Sequence, residues 1–358
     1  MNSLYGTFFQ DKTILLTGHT GFIGSWLSIV LKELGANVVG YALPPLTQND
    51  NFVVSKLDQK IESNIGDVRD YNNLIKVVKK TQPDIVYHLA AQPIVRKSYI
   101  IPKETYDINV GGTVNIIESF KKSESAKVLI NFTTDKCYEN LEKDNGYKEA
   151  DRLGGYDPYS SSKACSELIT SAYRDSFFST NDCRKRKNLS SIRCGNVLGG
   201  GDWQEDRLIP DLMKAIKQKF DFNIRNPESV RPWQFVLEPL RGLLTLTIKM
   251  WNGDTKYSGA WNFGPDEDQL LTVKELVQKI LNYLHLNNYP VHYDQKNELH
   301  ETKCLLLNTN KAKILLGWKP KLNLENSIEL LSDWYMEEKV DYNFNLKQIK
   351  NYFKIITN

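Results

Sequence analysis

Two short stretches of the chain hold side chains able to move protons. In "TTDKCY", Thr133 to Tyr138, the carboxylic acid of Asp135 stands directly beside the amine of Lys136, preceded by the hydroxyls of Thr133 and Thr134. An acid next to a potential base suits a reaction that protonates one atom while deprotonating its neighbour; the plain alternative is a turn in which the two simply pair. In "YSSSK", Tyr159 and Lys163 are four residues apart, so a helix puts both on one face. A lysine ammonium near a phenol lowers the phenol's pKa, because the phenolate gains an opposite charge. A phenolate so held takes the proton of an alcohol. His88, in "YHLA", is a tempting third group, but a lone histidine at the end of a buried strand reads as a satisfied core residue.

Such groups need a frame. "KTILLTG" reads as a buried strand, and "GSWLSIVLKELG" follows with apolar residues at helical spacing. The pattern repeats with "NVVGYAL" and "ESNI" as strands, "NNLIKVVKKT" as helix, "DIVYHLA" as strand, "GGTVNIIESFKK" as helix and "KVLINFTT" as strand. A long helix, "SSKACSELITSAYRDSFF", and the strand "LSSIRCGNVLG" come next. Alternation of this kind, with strands that are near-continuous Ile, Val and Leu, predicts a parallel sheet covered on both faces. The expected fold is α/β: a Rossmann-type doubly wound parallel sheet over residues 1–195, with 235–262 returning to it, and a smaller, mixed C-terminal substrate lobe over 196–358. Beyond Gly199 the loops are rich in Gly, Pro, Trp and Arg, and "LIPDLMKAIKQ", "LEPLRGLLTLTIKM" and "VKELVQKILNYL" read as helices.

Between the first strand and first helix lies "TGHTGFIG", with Gly18, Gly21 and Gly24. Glycines at that spacing and place allow a tight turn, a close approach to a pyrophosphate and close packing of helix on strand. The helix N-terminus then offers free N–H groups to phosphate. A dinucleotide there would give the alcohol chemistry of Tyr159 its hydride acceptor. The acidic residue that would hold the ribose of NAD at the end of the second strand is missing: Gly40, Tyr41 and Ala42 stand there, with no Arg to favour NADP. Asp67, in "GDVRD", reads equally as a partner for the adenine amine or as part of the helix start at Asp70.

Composition narrows the partners. The chain has 358 residues and a net charge of +3, too weak a field to make nucleic acid the default partner. The run "RKRK", Arg184 to Lys187, reads as solvated surface. The five cysteines, Cys137, Cys165, Cys183, Cys194 and Cys304, are scattered without metal-type spacing, which favours a reducing compartment and no metal. No secretory signal and no apolar run of membrane-spanning length is apparent. The expectation is a cytoplasmic protein without membrane or nucleic-acid partners.

From about Lys12 to about Lys319 the chain resembles the extended short-chain dehydrogenase/reductase family and, within it, the nucleotide-sugar 4,6-dehydratases that act on CDP-glucose. "TGHTGFIG", "HLAAQP", "NVGGT" and "YDPYSSSK" carry the wider likeness; "TTDKCYEN", "GNVLGGGDW", "DRLIPD", "IRNP", "RPWQFVLEPL", "WNFGP" and "LGWKP" carry the narrower one. The resemblance implies NAD as cofactor, held around Gly18, His19, Gly21, Phe22, Ile23, Gly24, Asp67, Val68, Leu89, Ala90, Ala91, Asn109 and Thr133, and by Tyr159 and Lys163. It implies a nucleotide-sugar substrate, CDP-glucose first, contacted by Gln92, Asn196, Arg207, Leu208, Arg225, Arg231 and His300. It also implies a closed redox cycle: oxidation at C4, loss of water across C5 and C6, and return of the hydride to C6, supplying a deoxysugar. Tyr159 would deprotonate the C4 hydroxyl, Thr134 would bond the C4 oxygen and Asp135 would protonate the leaving C6 hydroxyl. Lys136 would be either the C5 base, if neutral, or a cation beside the enolate. A homodimer through two helices per subunit, including that of Tyr159, is implied as well, with Leu168, Ile169 and Tyr173 able to serve core or partner.

The chain departs from the pattern at Ile23, where Lys is usual, at Phe235, where His is usual, and in "LEKDNG" after "YEN". The other readings open at this point are a dehydratase or epimerase for another nucleotide sugar, and a catalytically silent sugar-nucleotide-binding module. An acid for a C6 hydroxyl speaks against a simple epimerase, and the intact Thr134, Tyr159 and Lys163 speak against a silent module.

Overall fold

The computed structural model describes residues 1–143, 145–178, 187–253, 255–266, 269–294 and 305–357. Its strands are β1 (Thr13–Thr17), β2 (Asn37–Ala42), β3 (Glu62–Ile65), β4 (Ile85–His88), β5 (Val128–Phe132) and β6 (Asn188–Cys194). After them come β7 (Val197–Leu198), β8 (Phe222–Arg225), β9 (Val230–Pro232), β10 (Gln234–Phe235), β11 (Ala260–Phe263), β12 (Leu270–Thr272) and β13 (Val291–Asp294). A seven-stranded sheet runs in the order β11-β6-β5-β4-β1-β2-β3, and every neighbouring pair in it is parallel. This is the doubly wound order expected, extended at one edge by β11. The small pairs β10–β7, β12–β9 and β13–β8 belong to the mixed C-terminal part.

Successive side chains of a strand point to opposite faces, and here both faces are core. Ile14 and Leu16 of β1 join a large cluster with Trp26, Leu27 and Leu243, whereas Leu15 joins a second with Val39, Ile116 and Phe120. β5 repeats the division, with Val128 and Ile130 on one face and Leu129 on the other. The order of the sheet reverses between β1 and β4, so the crevice for a ligand lies beyond the C-terminal ends of these strands. The glycine turn leaves β1 there, and the chain from Leu89 leaves β4 there.

The helix Pro158–Tyr173 starts on a proline in its first turn, with the Asp157 carboxylate accepting from the Ser160 N–H at 2.9 Å. It reaches the sheet through a polar face. The Asn131 amide of β5 donates to Ser166 and to Thr170, each at 2.9 Å, and the Asn109 amide donates to Ser162 at 2.9 Å. On the same helix Leu168 is exposed, while Ile169 and Tyr173 pack on the second core cluster. Lys187, from the basic run, is not simply solvated: it donates to the carbonyls of Phe120 and Ser123 at the end of the helix Gly112–Lys122. Arg184, Lys185 and Arg186 lie outside the described residues. Among the described residues no helix is long and apolar enough to cross a membrane.

Two helices beyond those the sequence pattern predicts, Leu324–Met336 and Tyr342–Thr357, close the C-terminal part. The second folds back onto the first sheet helix, Phe22–Glu33: Tyr342 donates to Glu33 at 2.7 Å, and Ile349 and Tyr352 enter the large core cluster. Asn345 is fully buried there. Its amide donates to Asn51 at 2.7 Å and to Ser55 at 2.8 Å, and its oxygen accepts from the Trp334 indole at 2.9 Å. Truncation would leave the buried Trp334 indole N–H without an acceptor and take a donor from Asn51 and Ser55, which keep their bond to each other; an orphaned buried group costs about 1–3 kcal/mol. Asn345→Ala is therefore expected to lower stability by about 2–4 kcal/mol with an unchanged denaturant slope; urea unfolding measures both.

Candidate active site

At the glycine turn two backbones nearly touch. Gly18 has φ of +79°, and a Cβ on it would meet the Ala90 nitrogen at 2.7 Å; a Cβ on Gly24 would meet the Gly18 oxygen at 2.1 Å. No side chain caps the helix that follows, whose N-cap is Gly21, so its first N–H groups face the crevice. This cradle, which any side chain would fill, fits a dinucleotide pyrophosphate. The His19 ring, expected at the cofactor, is turned inward: it is fully buried, its Nε2 lies 2.7 Å from Ser63 Oγ, and burial lowers its pKa to about 4. It occupies the space beside Gly40, where a Cβ would come within 2.3 Å of the ring. At Gly40, at least, the buried ring leaves no room for an acidic side chain. Asp67 does not start a helix; Asp70 does, accepting from the Asn73 N–H. The Asp67 carboxylate accepts from the Arg69 N–H at 2.8 Å and pairs with its guanidinium at 2.6 Å. Val68 is a core residue whose carbonyl accepts from Asn115.

β5 delivers Thr133 and Thr134 to the crevice, and a short 3-10 turn, Asp135–Cys137, carries the acid and the amine. The Thr134 hydroxyl donates to the buried Asp135 carboxylate at 3.0 Å and accepts from the Lys136 N–H at 3.3 Å. Burial pushes the Asp135 carboxyl up, against the charges of Lys136 and Arg231. Room for it comes from Gly195, at the end of β6, whose Cβ would lie 2.7 Å from the carboxylate. Tyr159 and Lys163 are both buried. The phenol is not lowered on balance, and Lys163 is not among its main influences. Burial raises the Tyr159 pKa, with Thr134 and Arg207 pulling it back, and the Lys163 ammonium donates to the Phe132 carbonyl at 3.3 Å. His88 is the satisfied core residue anticipated, 2.8 Å from the Thr17 hydroxyl, its pKa lowered to about 3 by burial.

A cavity of about 910 Å³ joins these parts. Phe22, Ile23, Leu89 and Ala91 line its cofactor side; Thr133 to Lys136, Tyr159 and Lys163 line its middle; Asn196, Arg207, Leu208, Arg225 and Arg231 line its far side. Arg207 pairs with Asp202 at 2.5 Å and Arg225 with Asp206 at 3.0 Å. Gln92, expected at the sugar, is instead buried and turned away: its amide donates to the Ile94 carbonyl and the Thr105 hydroxyl and accepts from the Ile94 N–H. Asn109 closes the same loop, accepting from the Gln92 N–H at 2.8 Å. His300 lies outside the described residues. Phe235 sits in the core between Trp26 and Tyr352, away from the cavity, so that departure does not alter its lining. Sequence reasoning missed Gly195, Asp202 and the buried Glu167. Only the last had a signal, a carboxylate four residues beyond Lys163 on an otherwise buried face.

Burial lowers the Lys163 pKa from 10.5 to about 8. The sign follows from proton counting: between those values the unfolded chain holds more protons, so this group's contribution to stability rises with pH there. At pH 7 the buried ammonium is a net cost. Lys163→Met is expected to stabilise the fold by ~1–3 kcal/mol at pH 7, to lose that advantage by pH 10, and to abolish activity. Urea unfolding at the two pH values checks it; a variant less stable than the parent at pH 7 would contradict it.

The chain matches the family model of GDP-mannose 4,6 dehydratase over residues 15–331. It is 44% identical over 329 residues to the CDP-glucose 4,6-dehydratase of Salmonella typhimurium, covering 92% of this chain and 91% of that one. Among solved structures it resembles the dTDP-glucose 4,6-dehydratase of Bacillus anthracis in complex with NAD (TM-score 0.75, 24% identity, 92% of this chain and 97% of that one). It also resembles the epimerase Mth375 of Methanothermobacter thermautotrophicus (TM-score 0.78, 22% identity, 98% of this chain and 96% of that one). Those two likenesses carry the fold alone. The match of the family model over most of the chain, with the close relative beside it, settles the relationship: the chain belongs to the GDP-mannose 4,6 dehydratase family, nucleotide-sugar dehydratases of the short-chain dehydrogenase/reductase type.

Proposed function

We propose that the protein is an NAD-dependent lyase that converts CDP-glucose to CDP-4-keto-6-deoxyglucose. The observation that carries this reading is the continuous cavity that runs from Phe22 and Ile23 of the glycine turn, past Asp135, Lys136 and Tyr159, to Arg207, Arg225 and Arg231. The relative at 44% identity is named for that reaction.

In this reading the glycine cradle and the helix after it hold the pyrophosphate of NAD, and Tyr159 and Lys163 stand at its reactive end. A bound NAD supplies a reversible hydride store, which lets the sugar be oxidised at C4 and reduced at C6 without net redox change. Tyr159 takes the proton of the C4 hydroxyl, with Thr134 and Arg207 favouring the phenolate against burial. A ketone at C4 acidifies the proton at C5, which Lys136 serves as base or as a cation beside the enolate. Asp135, whose carboxyl is pushed up by burial, is kept ready to give a proton to the departing C6 hydroxyl. Acid and amine are adjacent in the chain because the atoms they serve are on adjacent carbons. Arg207, Arg225 and Arg231 offer forked donors to the diphosphate and nucleotide. The free Cys137, Cys165 and Cys194 fit a reducing, cytoplasmic setting, and the exposed Leu168 and Ile100 are surfaces on which a second copy would sit.

Incubation with CDP-, GDP-, UDP- and dTDP-glucose, followed by alkaline ultraviolet absorbance of the 4-keto product, tests the reading. Product is expected from CDP-glucose foremost; a 4-epimer without ketone, or no turnover of any of the four, would overturn it. Asp135→Asn is expected to keep the first oxidation, seen as reduced cofactor, while slowing water loss by about 100-fold or more. A normal rate of water loss would remove the acid role.

A further inference from the structure

Behind the cavity lies an ion pair that touches neither substrate nor cofactor side. Arg193 of β6 and Glu167 of the helix Pro158–Tyr173 are each 3% exposed, and their side chains meet at 2.8 Å. Neither lines the cavity. Burying such a pair is expensive, and apolar residues of similar volume often serve stability as well, so its contacts bear on what it does. The Thr133 hydroxyl donates to one Glu167 oxygen; the other accepts from Ser191 at 2.6 Å. On the far side the Arg193 guanidinium donates to the Tyr138 hydroxyl at 2.8 Å and to the Glu149 carbonyl at 3.1 Å, and lies 4.8 Å from the centre of the Tyr138 ring. Tyr138 in turn donates to Asn262 of β11 at 2.8 Å. Thr133 and Tyr138 are the two ends of the segment that holds Asp135 and Lys136. Both ends of that turn are therefore tied to one ion pair.

Glu167 also lies one helical turn beyond Lys163. We propose that the Glu167–Arg193 pair is a positioning device for the reaction: it clips both ends of the acid–amine turn, and its carboxylate supplies the negative charge that the Lys163 ammonium faces. The groups that act on that ammonium are Glu167 on its own helix, Cys137 on the turn, Cys194 on β6 and His88 on β4. Glu167 is the one that favours the charged amine most. The proposal rests on the catalytic reading above for its kinetic consequence, but not for its electrostatic one.

The test uses two independent readouts on Glu167→Gln. In the free protein, labelled with ¹³C-lysine and assigned with Lys163→Met, the Lys163 titration midpoint is expected to fall by at least half a pH unit. Glu167→Asp, which keeps the charge, is expected to restore most of it. With CDP-glucose, kcat is expected to drop about 100-fold, as a misplaced acid costs, while KM changes little because the arginines are untouched. If Glu167→Gln does not fold, Glu167→Gln with Arg193→Met removes both charges together and is expected to give the same two results. An unchanged midpoint in folded protein overturns the electrostatic role; an unchanged kcat with only a lowered melting temperature overturns the positioning role. The titration is read without substrate, so its failure is distinct from a failure of the proposed activity.

Discussion

The interaction on which the rest depends is the polar seam between the helix Pro158–Tyr173 and the end of β5. Most helices dock on a parallel sheet through aliphatic side chains. This one buries Ser162, Lys163, Ser166, Glu167 and Thr170, and β5 answers with Asn131, Thr133 and the Phe132 carbonyl. Hydrogen bonds fix register in a way that aliphatic contacts do not, since a shift of one residue would leave buried donors without acceptors. The outcome is that Tyr159, one end of the seam, has a fixed height over Thr134 and Asp135.

Burial acts on the ionisable groups of the site in one sense, toward the uncharged form: Asp135 is raised, Tyr159 is raised and Lys163 is lowered. Each is then adjusted by a particular neighbour. Arg231 and Lys136 favour the Asp135 anion, Arg207 favours the phenolate and Glu167 favours the ammonium. A site arranged in this way keeps protons close to transfer. The neighbours come from β9, from the loop before the helix Leu208–Gln218 and from the helix of Tyr159 itself. The two halves of the chain thus meet electrostatically as well as in packing.

How much of this was legible in the sequence follows from range. The glycine turn, the strand–helix alternation and the Tyr159/Lys163 spacing are local patterns, each set by a few consecutive residues, and the sheet followed from them. His19 and Gln92 stand in motif segments that the resemblance ties to cofactor and substrate, and the side chains of both turn inward. Whether a side chain faces a ligand or the core depends on what it meets far along the chain, Ser63 and Gly40 for His19, Thr105 and Asn109 for Gln92. The pairing of Glu167 with Arg193, and the return of Asn345 to Asn51, are contacts between distant segments with no periodic signature. Tyr159 shows the same limit of range: spacing reveals a nearby lysine but not the depth of burial that raises the phenol.

The central claim is that the cluster from Thr134 to Lys163 runs one closed redox cycle inside a single sugar ring. The most direct measurement is the fate of a label. CDP-glucose carrying deuterium at C4, turned over in ordinary water, is predicted to give a 4-keto product whose C6 methyl group holds the deuterium, with one solvent hydrogen gained at C5. Deuterium lost to solvent, or retained at C4, would contradict the account.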